Sequence, residues 1–173
     1  MIKQFVPQKV CLKCQGCCRF KEFDSLWAPC LMDEEIQVLL DKKIPPAVIS
    51  MDRRIRPVPA PQQEGFTQPL RAGAGFICPF LDPADNKCKI YEFRPQECQL
   101  YPFLISLRAK KVLLTVDLNC PYVKENINSE EFKRYAGYLA AHLDSPSQIR
   151  VLKNNPQIIQ AYEDVLDVLE LNI

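Results

Sequence analysis

The chain has little of what marks catalytic, nucleic-acid-binding or membrane proteins. It holds one histidine, His142, so a Ser–His–Asp or Cys–His catalytic set would depend on that single imidazole. Its net charge is +1, from 22 basic and 21 acidic residues, which argues against a large nucleic-acid footprint. No apolar run approaches the ~20 residues that span a bilayer. We therefore expect neither a nucleic-acid nor a membrane partner.

Familiar catalytic motifs are also missing. The sequence contains no Gly-rich phosphate loop, no H-E-x-x-H and no dinucleotide fingerprint. The first ten residues lack the apolar core of a secretion signal, which predicts a cytoplasmic protein whose thiols stay reduced. The cysteines number nine, and an odd number fits poorly with a complete disulfide framework.

What the chain has instead is cysteine in two sets. The first lies in CLKCQGCC and the second is spread downstream, so that the eight residues are Cys11, Cys14, Cys17, Cys18, Cys78, Cys88, Cys98 and Cys120. A C-x2-C-x2-C run followed by a distant cysteine is typical of iron–sulfur ligation. Tetrathiolate zinc is the main alternative, because it uses the same soft ligands. The eight thiols could form two four-ligand sites, or one cluster and one single ion.

The vicinal pair Cys17-Cys18 is the unusual detail. Neighbouring side chains of an extended segment point to opposite sides, so we expect the two thiols to serve two nearby metal centres, or one of them to bridge both. The alternative is that Cys18 is a small buried apolar residue. The ninth cysteine, Cys30, is interpreted as a free thiol or an auxiliary ligand. Arg94 is the best candidate to offset thiolate charge, since a guanidinium donates several hydrogen bonds.

The pattern predicts one α+β domain over 1–173, with a cysteine-cluster core at about 9–122 and a helical tail at about 128–173. The core is expected to be small, irregular and stabilised by metal, with short hairpins. C-terminal helices are expected to close it. A long irregular connection is expected at 57–75, where Pro and Gly are frequent.

Individual elements follow from periodicity and turn signals. A helix is expected at 33–40, a short strand at 20–28 and a short helical piece at 47–51. Two hairpins are expected, one pairing 77–81 with 87–91 and the other 103–107 with 112–118. Three final helices are expected to begin near Ser129, at Ser145 and after Asn155-Pro156, the last carrying its apolar stripe through Leu169.

The chain resembles the CxxCxxCC family of YkgJ-like proteins, described as zinc- or iron-chelating. The resemblance rests on CLKCQGCCRF at 11–20 and CPFLDPADNKCKIYEFRPQECQLYPF at 78–103. It implies that the seven cysteines from Cys11 to Cys98, without Cys30, are metal ligands, and that Cys120 matches a later family cysteine. It also implies supporting roles for Tyr91, Arg94 and Pro95, whereas Gln99 stands where the family often has Arg. Flagellin lysine N-methylases are distantly similar around the same blocks.

The sequence thus predicts a metal-binding cysteine-cluster protein. An iron–sulfur cluster, with a role in redox chemistry or protein modification, is the first hypothesis. A zinc-chelating structural or metal-handling protein is the alternative, and a lysine-methylase-like enzyme is the second. The expected partner is a protein substrate or a redox partner.

Overall fold

The computed structural model describes residues 2–14, 16–61 and 75–173. The chain divides into two compact units. The cysteine unit is Pro7–Cys98, and the hairpin unit combines Met1–Val6 with Gln99–Ile173. The division lies between Cys98 and Gln99, upstream of the change that the sequence suggests at about 122–128. The mixture of helices with small antiparallel sheets confirms the α+β class.

The cysteine unit is built from short elements. Its helices and strands are α1 (Gln8–Cys14), β1 (Arg19–Phe20), α2 (Asp33–Asp41), β2 (Val58–Pro59) and β3 (Phe76–Ile77), and α3 (Gln96–Leu100) begins at its end. Single 3-10 turns occupy Pro46–Val48 and Tyr91–Phe93. The strands form an antiparallel sheet in the order β1–β3–β2. Around this sheet the apolar core gathers Phe20, Leu31, Leu39, Ile55 and Ile77.

The helix expected at 33–40 is present as α2. Its first turn carries three acidic residues, beginning with Asp33, which suit the positive end of the helix dipole. Leu39 is fully buried against the core, whereas Leu40 is exposed. The apolar stripe is therefore narrower than its sequence suggests.

Two extended elements of this unit are shorter in the structure than the sequence predicts. The strand expected at 20–28 ends at Phe20, because the chain then folds into a turn closed by the Ala28 amide on the Ser25 carbonyl at 3.0 Å. The first hairpin is reduced to one antiparallel bridge between Leu81 and Cys88. Of the irregular connection expected at 57–75, residues 62–74 lie outside the described residues.

The second hairpin is confirmed in the hairpin unit. Strands β4 (Phe103–Arg108) and β5 (Lys111–Asp117) pair from Phe103 opposite Val116 to Arg108 opposite Lys111. The two turn residues, Ala109 and Lys110, both have positive φ, as the right-handed twist of a two-residue hairpin demands. Helices α4 (Pro121–Asn126), α5 (Glu130–Leu143) and α6 (Pro146–Asn154) follow, and α5 and α6 match two of the predicted helices.

The third predicted helix is wrong. After a 3-10 turn at Pro156–Ile158, the chain forms strand β6 (Val165–Glu170), which pairs antiparallel with β5 in the sheet order β4–β5–β6. Leu166 and Leu169, which the helical stripe would bury, are exposed. Pairing with an available strand edge has overridden the local period. No helix within the described residues is both long and apolar enough to cross a bilayer.

Candidate metal centre

The small sheet of the cysteine unit brings the two cysteine blocks together. Strand β1 follows Cys18 directly and β3 runs directly into Cys78. The two strands pair with Arg19 opposite Ile77, and the Cys78 amide donates to the Cys18 carbonyl at 2.9 Å. Two residues of strand pairing thus place residues that are sixty positions apart at one end of the sheet.

Cys88 reaches the same region through the turn that follows Cys78. The turn is closed by the Asp82 amide on the Lys87 carbonyl and by the Lys89 amide on the Phe80 carbonyl, both at 2.8 Å. These bonds hold Cys88 opposite Leu81, three residues beyond Cys78. Cys98 comes from α3, the short helix that follows Pro95.

Four thiols influence one another electrostatically. The pKa of Cys78 is raised to about 12, mainly by burial, and the nearby Cys88 and Cys17 thiols contribute to this shift. Burial also raises the pKa of Cys98 well above its usual value, with Cys78, Cys17 and Cys88 adding to the shift. We call Cys17, Cys78, Cys88 and Cys98 the four-thiol cluster. Cys78 is buried, Cys88 and Cys98 are half-buried and Cys17 is exposed, so the cluster reaches the surface at Cys17.

The donor set of the cluster fits a thiophilic metal. Ionising several mutually close, desolvated thiols is costly unless a cation neutralises them, and a bound metal does so. Within the described ranges, no three Cys, His, Asp or Glu side chains already stand in metal-site geometry. Binding would therefore require rotation of side chains, and cysteine has only one rotatable bond to its sulfur.

The vicinal pair differs from the expected arrangement. Residues 17 and 18 lie in a turn and not in an extended segment, and their sulfur atoms are 4.0 Å apart. Two thiolates on one tetrahedral zinc ion lie about 3.8 Å apart at a Zn–S distance of ~2.3 Å. The pair can therefore face one ion, and its geometry does not demand two centres.

The remaining thiols of the first block differ in their exposure. Cys11 and Cys14 are three residues apart on α1, where Cys11 is exposed and Cys14 is half-buried. Burial raises the pKa of Cys14, and the Cys17 thiol adds to the shift. Cys18 is half-buried and packs against the apolar core.

Arg94 and Tyr91 lie next to Cys88. The Arg94 guanidinium carbon is 4.2 Å from the centroid of the Tyr91 ring, in a cation–π contact. Burial raises the pKa of the Cys88 thiol, and the positive charge of Arg94 opposes that shift. Arg94 therefore has the place expected of a residue that offsets thiolate charge, although its role there stays a prediction.

Asn86, which the sequence analysis did not single out, links the two blocks. Its side-chain amide donates to the Leu12 carbonyl of α1 at 3.2 Å, and its side-chain oxygen accepts from Arg19 Nη2 at 3.3 Å. Its φ of 58° is in the left-handed region, which asparagine tolerates better than most residues. The sequence DPADN predicts a turn, but it does not predict the long-range hydrogen bonds of Asn86.

Cys30, Cys120 and His142 are not members of the four-thiol cluster. Cys30 is buried, and burial raises its pKa to about 11, with the Glu97 carboxylate adding to the shift and Arg54 opposing it. Cys120 is buried in the hairpin unit, where it precedes α4, and its place in a ligand set stays a prediction. His142 stacks on Tyr138 in α5 at 6.5 Å between ring centroids.

A cysteine-cluster protein of metal-chelating type is the class that these features define. The chain belongs to the CxxCxxCC family, whose description, "Putative zinc- or iron-chelating domain", applies to residues 10–121. An uncharacterized protein of Methanocaldococcus jannaschii is 35% identical over 75 residues, which are 40% of this chain and 41% of that protein. The chain thus matches less than half the length of that relative. No solved structure matches.

Proposed function

We propose that the protein binds an iron–sulfur cluster through Cys17, Cys78, Cys88 and Cys98. The observation that carries this proposal is the convergence of these four thiols from three separate segments of the cysteine unit. The pairing of β1 with β3 brings the two blocks together, and the turn after Cys78 places Cys88 opposite Leu81. The residues provide soft ligands, a partly apolar surround and one cationic neighbour, Arg94. When bound, such a cluster would supply one-electron chemistry.

Iron–sulfur is preferred to one zinc ion because the thiol array is larger than one ion needs. Cys17 also influences Cys14, and its sulfur lies 4.0 Å from that of Cys18. A structural zinc ion is complete with four ligands, whereas extra thiols beside a cluster can hold further iron or react with a partner. The exposed position of Cys17 gives a protein substrate or a redox partner a short approach to the cluster.

Anaerobic purification followed by absorption spectroscopy and assay of iron, zinc and labile sulfide tests the proposal. We expect brown protein with iron and sulfide in the wild type. Cys78→Ser and Cys88→Ser should lose most of both, while Cys30→Ser, the matched control, should keep them. Full iron and sulfide in Cys88→Ser, or none in the wild type, would refute it.

Zinc chelation for metal handling is the second candidate. The observation that favours it is the exposure of the first block, where Cys11 and Cys17 are exposed and Cys14 is half-buried. Accessible thiolates permit ligand exchange with a donor or an acceptor. Colourless protein with stoichiometric zinc that Cys88→Ser loses would select this function.

A further inference from the structure

Two carboxylates cross-link the segment that carries Cys98 to the segment that leads into α2. Glu35 Oε1 accepts from the Gln96 amide at 2.5 Å, and its Oε2 accepts from the Met32 amide at 2.9 Å. Glu97 Oε2 accepts from the Cys30 amide at 2.7 Å. We name this pair of cross-links the Glu35–Glu97 clamp. We propose that the clamp positions Cys98 for metal binding, so that Glu35 and Glu97 are positioning residues of the centre.

The clamp acts on Cys98 because it holds the two residues that precede Cys98 in the chain. Gln96 and Glu97 are the two residues that immediately precede Cys98 at the start of α3. Their anchor begins with a buried stretch, Cys30 to Met32, in which Cys30 and Leu31 are at 1% exposure or less. Charge-assisted hydrogen bonds to both sides of such an anchor restrict the backbone that carries the sulfur.

The cost of the clamp argues that it serves more than folding. Burial raises the pKa of Glu35, so the fold pays to keep this carboxylate away from water.

Glu35→Gln separates positioning from helix capping. Glutamine can keep the bond to the Met32 amide, since Gln serves in capping boxes as Glu does. Its amide nitrogen would then face the Gln96 amide, where two donors oppose each other. Glu34→Gln, an exposed neighbour on α2, is the matched control. Ile55→Val, which trims the core of the same unit by one methylene, matches the loss of stability without touching the clamp.

Titration of reduced, metal-free protein with Co²⁺ under anaerobic conditions tests the inference, which rests on the proposed metal centre. Thiolate-to-cobalt charge-transfer absorption reports the number of bound sulfurs, and competition with a chelator gives the affinity. We expect Glu35→Gln and Glu97→Gln to weaken Co²⁺ binding about 10–100-fold and to lower the absorption per cobalt, as outer-shell changes do elsewhere. Glu34→Gln and Ile55→Val should keep wild-type absorption per cobalt.

The outcomes separate the two proposals. Equal loss of affinity in Glu35→Gln and Ile55→Val, with wild-type absorption per cobalt, would overturn the clamp and leave the metal centre standing. Wild-type protein without thiolate–cobalt absorption would overturn the centre itself and the clamp with it.

Discussion

Removing the Asn86 side chain should loosen α1 and expose its thiols. None of the residues of α1 is buried, so apolar packing contributes little to its attachment. The hydrogen bond from Asn86 to the Leu12 carbonyl therefore contributes a larger share of the attachment of α1 than it would for a buried helix. Asn86→Gly removes this bond and the bond to Arg19 while keeping the left-handed backbone, because glycine adopts positive φ freely.

The size of the effect follows from the two bonds. Each is worth about 0.5–1.5 kcal/mol net, and since both are longer than the usual ~2.9 Å we expect about 1–2 kcal/mol together. The bond to Leu12 alone accounts for about 1 kcal/mol, which raises the population of the detached helix about fivefold. Asn86→Ala adds ~1 kcal/mol of left-handed strain in the folded protein.

The assay is alkylation of the reduced, metal-free protein, with the labelled peptides quantified by mass spectrometry. In Asn86→Gly we expect Cys14 to react about fivefold faster than in the wild type, by the same population argument. Buried Cys30 provides the internal reference, and Ala84→Gly in the same exposed turn is the control variant. Equal Cys14 rates in Asn86→Gly and Ala84→Gly would refute the reasoning.

Two further predictions concern the rest of the cysteine unit. Arg54→Met should lower the free energy of unfolding by about 2–5 kcal/mol in urea, because Arg54 Nη1 donates to the Leu26 and Ala28 carbonyls at 2.9 and 2.7 Å. Asp52→Asn, the control, should change it by no more than ~1 kcal/mol, because that carboxylate is exposed. Equal losses in the two variants would contradict this prediction. Burial raises the pKa of Glu35 above its ordinary 4.5, so the folded state holds this proton more tightly than the unfolded state. The stability gained in this way is fully present below 4.5 and is lost as pH rises through the folded pKa. Urea unfolding across that window should show stability falling with pH more steeply in the wild type than in Glu35→Gln, and parallel pH profiles would contradict the assignment.

Strong local signals predicted the elements that the structure confirms. The hairpin of β4 and β5 was visible because two β-rich runs flank a short polar turn, and α5 because its apolar residues recur at helical spacing from a serine N-cap. Strand β6 was not visible, because an apolar spacing at 158–169 fits a helix as well and only the free edge of β5 decides between them.

The sequence also shows the cysteines and their division into two blocks, but it does not show which thiols lie together in space. Cys17 joins Cys78 and Cys88 because β1 and β3 pair in one register, and strands of two residues carry no periodic signal. Nothing in the sequence distinguishes Glu35 and Glu97 from other acidic residues near helix starts. Their long-range bonds to backbone amides leave no pattern in a single sequence.

The position of Cys17 gives the first block two different roles. On its inner side Cys17 influences the thiols of Cys78, Cys88 and Cys98, and on its outer side it influences Cys14, which lies on the weakly attached α1. Loss of Cys17 should therefore disturb the proposed centre, whereas loss of Cys14 should alter only a half-buried thiol outside the four-thiol cluster. Iron and sulfide content should fall in Cys17→Ser and persist in Cys14→Ser. The opposite result would place the centre within the first block and contradict the four-thiol cluster.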